Sequence, residues 1–431
     1  MTRTADPAYM KEINKSIVIN KIRFHSPISR TQISVDTGLN KATVSALIDE
    51  LLQEGLVLEI GQGQSRVGRR PIMLLFNAKA GSVLGVELGV EYVRIVVTDL
   101  AAQVQNTYNT VLPDGADATA VIDTVVTSIQ EAMEQAPPSK CGVIGIGIGV
   151  PGLVDYRRGI VLKAPHLNWD NIPLKAMLES RLRKPVFVDN EANAGALGEK
   201  LYGAGANVAD LLYVSAGTGI GTGIVIDNDL LRGADGIAGE FGHMSIEANG
   251  AQCPCGNQGC WEMYASERAL VSTYEKLAGS SSRFEDILSR LPASDRAALQ
   301  AFQSVGQYLG VGISNLINGL NPSMIIVGNR LAQGGKVVVD GISQSIAKRC
   351  FISPIQKYRF RSPSSGETLV LSVPLRWSCT TSSRDRRRTC RNELPSCLVW
   401  SLLRSPSTTG NQVSPATKGL PQQRASTLPR W

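Results

Sequence analysis

The densest group of metal-binding side chains in the sequence runs from Gly242-His243, past Gly250, to Cys253-Pro-Cys255-Gly256-Asn-Gln-Gly259-Cys260-Trp-Glu262. Three thiolates and one imidazole make a closed tetrahedral set of the kind that holds structural zinc, and the interleaved glycines permit the tight turns such close ligands require. His243, Cys253, Cys255 and Cys260 are therefore the expected ligands of a structural Zn2+. Four protein ligands leave no coordination position for a substrate, so this centre is expected to hold shape and not to catalyse. The other reading, three unrelated buried thiols, is disfavoured by ligand type and spacing. No N-terminal secretion signal is legible, and the longest apolar run, Cys141 to Val154, is glycine-rich and too short to span a bilayer. The expectation is a cytoplasmic protein with no membrane partner, whose eight cysteines are metal ligands or buried thiols and not a disulfide framework.

Short and basic side chains also gather where a helix would begin. Asn40 reads as a cap and Gly55 as a stop, with Lys41, Ala42, Thr43 and Ser45 on the side of the first turns that the apolar residues leave free. Such residues let a helix N-terminus approach base edges and phosphates. The elements that would place them lie upstream. Ile13, Ile17, Val18 and Ile22 recur at helical spacing, and after Ser26-Pro27, Ser29 caps a short helix that Gly38 ends. Ile33, Val35, Leu39, Val44, Leu47, Ile48 and Leu51 supply the apolar faces expected to lock the second and third helices as a helix-turn-helix. Leu56 to Ile60 and Ile72 to Phe76 then read as strands, joined by a glycine-loosened loop carrying Arg66, Arg69 and Arg70. This is a wing, whose guanidinium groups suit phosphates or a narrow minor groove. Residues 1–77 are expected to form a winged helix-turn-helix with operator DNA as partner. A three-helix adaptor with a solvated basic hairpin is the alternative.

From Ser82 the pattern changes to buried strands alternating with helices, in a chain with 42 glycines and only 5% aromatic residues, which suits an α/β body. Val86, Gly89, Val97 and Asp99 align with Val214, Gly217, Val225 and Asp227 at a constant spacing. Each copy reads as a strand, a glycine turn and a returning strand, so two similar lobes with a cleft between them are expected over residues 78–200 and 201–360.

The segment Gly242 to Glu262 resembles, at every position named above, the cysteine-rich signature of the ROK family (repressor, ORF, kinase). Ile60-Gly-Gln-Gly-Gln-Ser65, Gly68-Arg-Arg-Pro71, Val150-Pro-Gly152 and Asn190-Glu-Ala-Asn-Ala-Gly195 are most similar to its xylose repressor branch. The resemblance implies a two-lobed actin-like (ribonuclease H-like) sugar-kinase fold behind the DNA-binding head, and a transcriptional repressor that leaves its operator when sugar binds. It places the sugar hydroxyls on Asn190, Glu191, Glu240, His243 and Glu262. The chemistry agrees, since carboxylates accept hydroxyl protons and a histidine held by zinc through one nitrogen keeps the other for the sugar or an orienting carboxylate. Xylose is the expected inducer, with glucose as a competitor, and a homodimer or higher homo-oligomer is the expected assembly.

The same resemblance argues against an enzyme. ROK kinases carry acid-x-Gly-Gly-Thr as their first phosphate loop, where this chain has Glu87-Leu88-Gly89-Val90-Glu91. Val90 adds a side chain where backbone must approach the nucleotide, and Glu91 sets negative charge beside a polyanion. The adenine-side Gly-Gly pair is Gly328-Asn329, and the catalytic aspartate corresponds to Glu191, one methylene longer. Gly217-Thr-Gly-Ile-Gly-Thr-Gly223 still permits a second phosphate turn. A sensor without kinase activity is expected. The alternatives are an active sugar kinase with an added head, which ATP turnover would reveal, and a zinc-stabilised protein-interaction module, which calorimetry against sugars would reveal.

The net charge of +7 is unevenly spread. Residues 376–431 hold ten Lys and Arg against two Asp and Glu, so the first 375 residues together sum to −1. Within those, residues 1–77 carry +3 and residues 78–375 carry −4, a basic head on an acidic body. The segment 361–431 is anomalous, because ROK chains finish on a small-residue helix beginning Gly-Ala-Ala, whereas this one runs into Arg, Ser, Thr and Pro. Shifting the codons of Val370 to Thr381 by two bases permits the expected ending, so a changed reading frame and a genuine disordered basic tail are both open readings, which the nucleotide sequence from the codon of Tyr358 onward would separate.

Overall fold

The computed structural model describes residues 7–62, 70–113, 115–351 and a short strand at Phe360–Arg361. Arg66 and Arg69 of the expected wing, and the basic tail, lie outside the described residues.

The chain opens with α1 (Pro7–His25), β1 (Ile28–Ser29), α2 (Arg30–Thr37), α3 (Lys41–Glu54), β2 (Val57–Gln62) and β3 (Ile72–Phe76), the strands pairing in the order β1-β3-β2. Ser29 Oγ accepts from the Gln32 N–H at 3.2 Å and Asn40 Oδ1 from the Thr43 N–H at 2.8 Å, satisfying donors that each helix start leaves orphaned. Gly38 and Gly55 end the two helices at φ of +71° and +81°, a region in which a side chain is strained. Ile33, Val44, Leu47, Ile48 and Leu51 are buried with Val18, Ile19 and Ile22 of α1. Val35 departs from expectation and is 71% exposed. Each helical residue advances about 100°, so a side chain two positions from the buried Ile33 points to the opposite face.

Two α/β lobes follow. The first contains β4 (Ser82–Leu88), β5 (Tyr92–Asp99), β6 (Val104–Val111), α4 (Ala118–Glu134) and β7 (Val143–Val150). A small antiparallel sheet of β8 (Leu153–Asp155), β9 (Ile160–Ala164) and β10 (Trp169–Ile172) comes next, then α5 (Leu174–Leu182), β11 (Val186–Asn190) and α6 (Glu191–Leu201). The second contains β12 (Leu211–Ala216), β13 (Ile220–Ile226), β14 (Asp229–Leu230), α7 (Glu262–Ala265), α8 (Glu267–Ala278), α9 (Phe284–Arg290), α10 (Arg296–Leu320), β15 (Met324–Gly328), α11 (Gly335–Arg349) and β16 (Phe360–Arg361).

The main sheets run β11-β7-β4-β5-β6 and β14-β13-β12-β15-β16. They share one plan: the first strand of each lies at the centre, antiparallel to the second and parallel to the fourth. The repeated residues occupy equivalent places, with Val86 and Val214 in central strands, Gly89 and Gly217 in the turns, and Val97 and Val225 in the returning strands. Every residue of β4, β7 and β12 is buried, as befits strands covered on both faces. The first core packs Val125 and Ile129 of α4 against β4 and β7, and the second packs Leu309 and Ile313 of α10 against β12 and β15. Among the described residues no helix is long and apolar enough to cross a membrane.

Candidate functional site

Strand ends and turns, not helix surfaces, carry the chemistry. A cavity between the lobes is walled by the end of β4, the start of α6, the turn after β12 and the irregular segment leading to α7. Asn190, Glu191, Glu240, His243 and Glu262, far apart in sequence, all line it.

Asn190 caps α6. Its Oδ1 accepts from the N–H groups of Ala192 at 2.9 Å and Asn193 at 3.3 Å, while its Nδ2 donates to the Gly152 carbonyl at 3.0 Å. Much of its hydrogen-bonding capacity therefore positions the helix. Glu191, the first residue of α6, has a carboxylate oxygen, Oε2, that is buried with no hydrogen-bond partner. Burial pushes its pKa up to about 8, against a backbone hydrogen bond that lowers it and with the negative charge of Glu240 adding to the rise. Glu240 is likewise raised by burial, partly offset by His243. The cleft thus holds at least one carboxyl oxygen, Glu191 Oε2, that a hydroxyl donor would satisfy.

The Glu191 shift has a pH consequence. Its folded pKa lies above the unfolded value, so its contribution to stability is full below pH 4.5 and is lost as pH rises through about 8. Denaturant melts between pH 6 and 8.5 are expected to show a fall on the order of 1 to 3 kcal/mol that Glu191→Gln flattens. Equal slopes in both proteins would refute the assignment.

His243 follows Glu240 on a short helical turn, Phe241–His243. Its ring and the thiols of Cys253, Cys255 and Cys260 converge, the ligand atoms all lying within 4.8 Å of one another. Cys255 Sγ and Cys260 Sγ are 3.7 Å apart, as are Cys253 Sγ and His243 Nδ1. A tetrahedral ion bound at Zn–S distances near 2.3 Å would set its sulfur ligands about 3.8 Å apart, so the group has the dimensions that such an ion requires. Glu262 Oε1 lies 3.1 Å from Cys253 Sγ and 3.5 Å from His243 Nδ1. One carboxylate therefore touches both the metal cluster and the cavity.

The sequence did not single out His166. It lies at the end of a helical turn, Pro165–Leu167, between β9 and β10, and faces the cavity opposite Gly219. Burial lowers its pKa, which leaves the neutral ring able to donate one hydrogen bond and accept another. Nothing in its local sequence marks it; only the folding of the small sheet over the cleft brings it there.

On the other side of the cavity, the chain's own side chains fill the turns. Tyr92 OH donates to Glu87 Oε1 at 2.8 Å, and a Cβ on Gly89 would sit 2.6 Å from the Tyr92 ring. Asn329 adopts φ +70° and ψ −169°, a backbone region essentially reserved for glycine. Its Nδ2 donates to Ser215 Oγ at 3.1 Å and lies 2.9 Å from where a Gly217 Cβ would stand. Side chains thus lie over both glycine turns, whereas the sequence marked Val90, Glu91 and Asn329 only as departures from the kinase pattern and left the Gly217 turn open to phosphate. Arg330, beside Asn329, pairs with Glu267 at 3.1 Å and with Glu285.

At the far end of the chain Lys41 and Ala42 are exposed on the first turn of α3, whereas Thr43 and Ser45 are half-buried. The Ser45 carbonyl also accepts from Arg30 at 3.3 Å. Arg70 is exposed where β3 is about to begin.

The sequence profile of the ROK family matches residues 83–368. A xylose repressor from Bacillus subtilis (strain 168) is 41% identical over 364 residues, spanning 84% of this chain and 94% of its own length. The crystal structure of a ROK family transcriptional regulator, a homologue of the E. coli MLC protein, superposes with a TM-score of 0.72 at 28% identity, covering 92% of this chain and 98% of that one. A ROK family glucokinase from Streptomyces griseus, solved with glucose and AMPPNP, superposes with a TM-score of 0.62 at 32% identity, covering 68% of this chain and 97% of that one.

Proposed function

This chain belongs to the ROK family, and from that membership we propose that it is a sugar-responsive transcriptional repressor, the likeness to xylose repressors making D-xylose the first inducer to test and D-glucose the second. Residues 1–77 act as a winged helix-turn-helix. Lys41, Ala42, Thr43 and Ser45 on α3 face the bases, and Arg66, Arg69 and Arg70 on the wing face the backbone. Residues 78–200 and 201–360 form the sensor, whose actin-like lobes close on a sugar held by Asn190, Glu191, Glu240, His243 and Glu262. Two copies joined as a dimer would present two heads to a palindromic site.

Zinc suits the four-residue cluster better than a harder ion, because three of the donors are thiols and the fourth is an imidazole, all within 4.8 Å of one another. Bound there, it would supply structural cross-linking and no chemistry. His243 and Glu262 would then be held in place for the sugar.

One observation carries the choice of sensor over kinase: polar groups on the sugar side stand ready, while Tyr92 and Asn329 occupy the turns that a nucleotide would need. A duplex selected from a random library by the purified chain provides the operator probe. Titration of that complex with D-xylose, D-glucose and N-acetylglucosamine is expected to release the protein with at least one sugar, and ATP with the same sugar is expected to give no phosphorylated product. Brisk phosphorylation, or DNA binding indifferent to every sugar, overturns the proposal.

A further inference from the structure

Among the described residues, two contacts between the DNA-binding head and the sensor differ in character. One is broad and apolar: Leu56, Val57 and Phe76 join Val83, Leu100 and Ile144 of the first lobe in a single buried cluster. Around it, Asn77 Nδ2 donates to the Gly55 carbonyl at 2.8 Å, Lys140 donates to the Gln53 carbonyl, and Cys141 Sγ lies 3.7 Å from the Glu54 carbonyl. This face joins the head firmly to the first lobe.

The other place is the contact between Arg23, near the end of α1, and Tyr202, the residue that terminates α6. The Arg23 guanidinium donates to Tyr202 OH and stands 5.7 Å from the centre of its ring. Although α6 follows the last strand of the first lobe, it packs against the second. A Cβ on Gly221 would lie 2.8 Å from the Ala192 Cβ, one on Gly223 2.4 Å from the Ala196 Cβ, and one on Gly195 2.5 Å from the Tyr213 ring. Helix and strands therefore meet at nearly backbone contact. Lys200 Nζ fixes the far end, donating to the Val208 carbonyl at 2.7 Å and to Asn228 Oδ1 at 2.8 Å, beyond β13. The near end of α6 is Asn190-Glu191, in the cleft. Eleven helical residues span about 16 Å from there to Tyr202.

We propose that the Arg23–Tyr202 contact transmits the sugar signal: α6 moves with the second lobe, the head moves with the first, and this contact holds the head in its DNA-binding position only while the lobes are open. Sugar closing the lobes on Glu191 draws the α6 end away from Arg23 and frees the head. Coupling of this kind is reciprocal, so a variant lacking the contact favours the closed, sugar-binding form and disfavours the DNA-binding form.

The inference rests on the repressor reading, and the experiment separates the two. Full-length wild type, Tyr202→Ala and Tyr202→Phe are compared for affinity to the selected duplex, with and without saturating D-xylose or whichever panel sugar releases the wild type. Sugar affinity is measured in parallel by calorimetry. Tyr202→Ala is expected to bind the duplex about tenfold more weakly without sugar, to lose most of the sugar response, and to bind sugar at least as tightly as wild type. Tyr202→Phe, which keeps the ring beneath the guanidinium, is expected to fall between them, and it decides the matter if the alanine variant does not fold. A Tyr202 variant with wild-type affinity and full response overturns the coupling alone, as does one whose sugar affinity falls. A wild type that no sugar releases overturns the repressor reading and the coupling with it.

Discussion

Replacing Cys260 by serine is expected to reduce bound zinc from one equivalent per chain to near zero and to weaken sugar binding by about two orders of magnitude or more. The cause is positional. The segment from β14 to α7 has little regular structure, apart from the short turn at Phe241–His243, and under the zinc proposal its order would rest on His243, Cys253, Cys255 and Cys260 together with hydrogen bonds such as Asn257 Nδ2 to the His243 carbonyl at 3.0 Å. Glu240 and Glu262 flank the four ligand residues, so loss of the ion would free two of the cavity carboxyls together with His243. Burial also raises the thiols of Cys253 and Cys260, and as protonated neutral groups these offer only weak hydrogen bonds, to Glu262 Oε1 at 3.1 Å and to the His243 carbonyl at 3.3 Å. The second lobe keeps its apolar core around α10, so the expected loss of stability is moderate, on the order of 3 to 5 kcal/mol. Elemental analysis, calorimetry and a denaturant melt test each part. Undiminished sugar binding by metal-free protein would refute the structural role.

The double variant Glu191→Gln with Glu240→Gln is expected to lose on the order of a thousandfold in sugar affinity while its affinity for operator DNA without sugar stays within about threefold of wild type. Measured above a pH of about 8, where Glu191 is also ionised, a hydrogen bond to a charged group contributes about 1.5 to 3 kcal/mol, and the amide replaces half of each carboxylate's acceptor capacity with a donor. No residue of α3 lines the cavity that holds these two side chains, so the recognition helix is expected to keep its geometry. The phenotype is a repressor that no sugar releases. Calorimetry and operator titration separate the two effects, and a parallel fall in DNA affinity would mean that the substitutions damage the fold rather than the pocket.

The cleft at the centre of both predictions was unevenly legible. Helix caps and stops at Ser29, Gly38, Asn40 and Gly55 act within a few residues, and the structure places them where local chemistry puts them. The convergence of His243, Cys253, Cys255 and Cys260 was readable for the same reason, since the four fall within eighteen residues. The repeat at Val86 and Val214 was faint, yet the two sheets it marks have the same strand order. Val35 was misread because an apolar type was counted without its angle on the helix. His166 carried no signal, because its importance depends on a fold-back of the chain that brings an ordinary sequence against a distant one, and Tyr92, although only three residues from Gly89, faces that glycine through the hairpin geometry alone.

Local chemistry, then, is written in the order of residues: which turn ends a helix, which thiols can share an ion, where charge collects. Three-dimensional folding alone decided that α6 leaves the first lobe to pack on the second, and that Asn329 covers Gly217 across 112 positions of chain. Short-range effects need only neighbours, whereas a close approach of two backbones depends on every element packed between them.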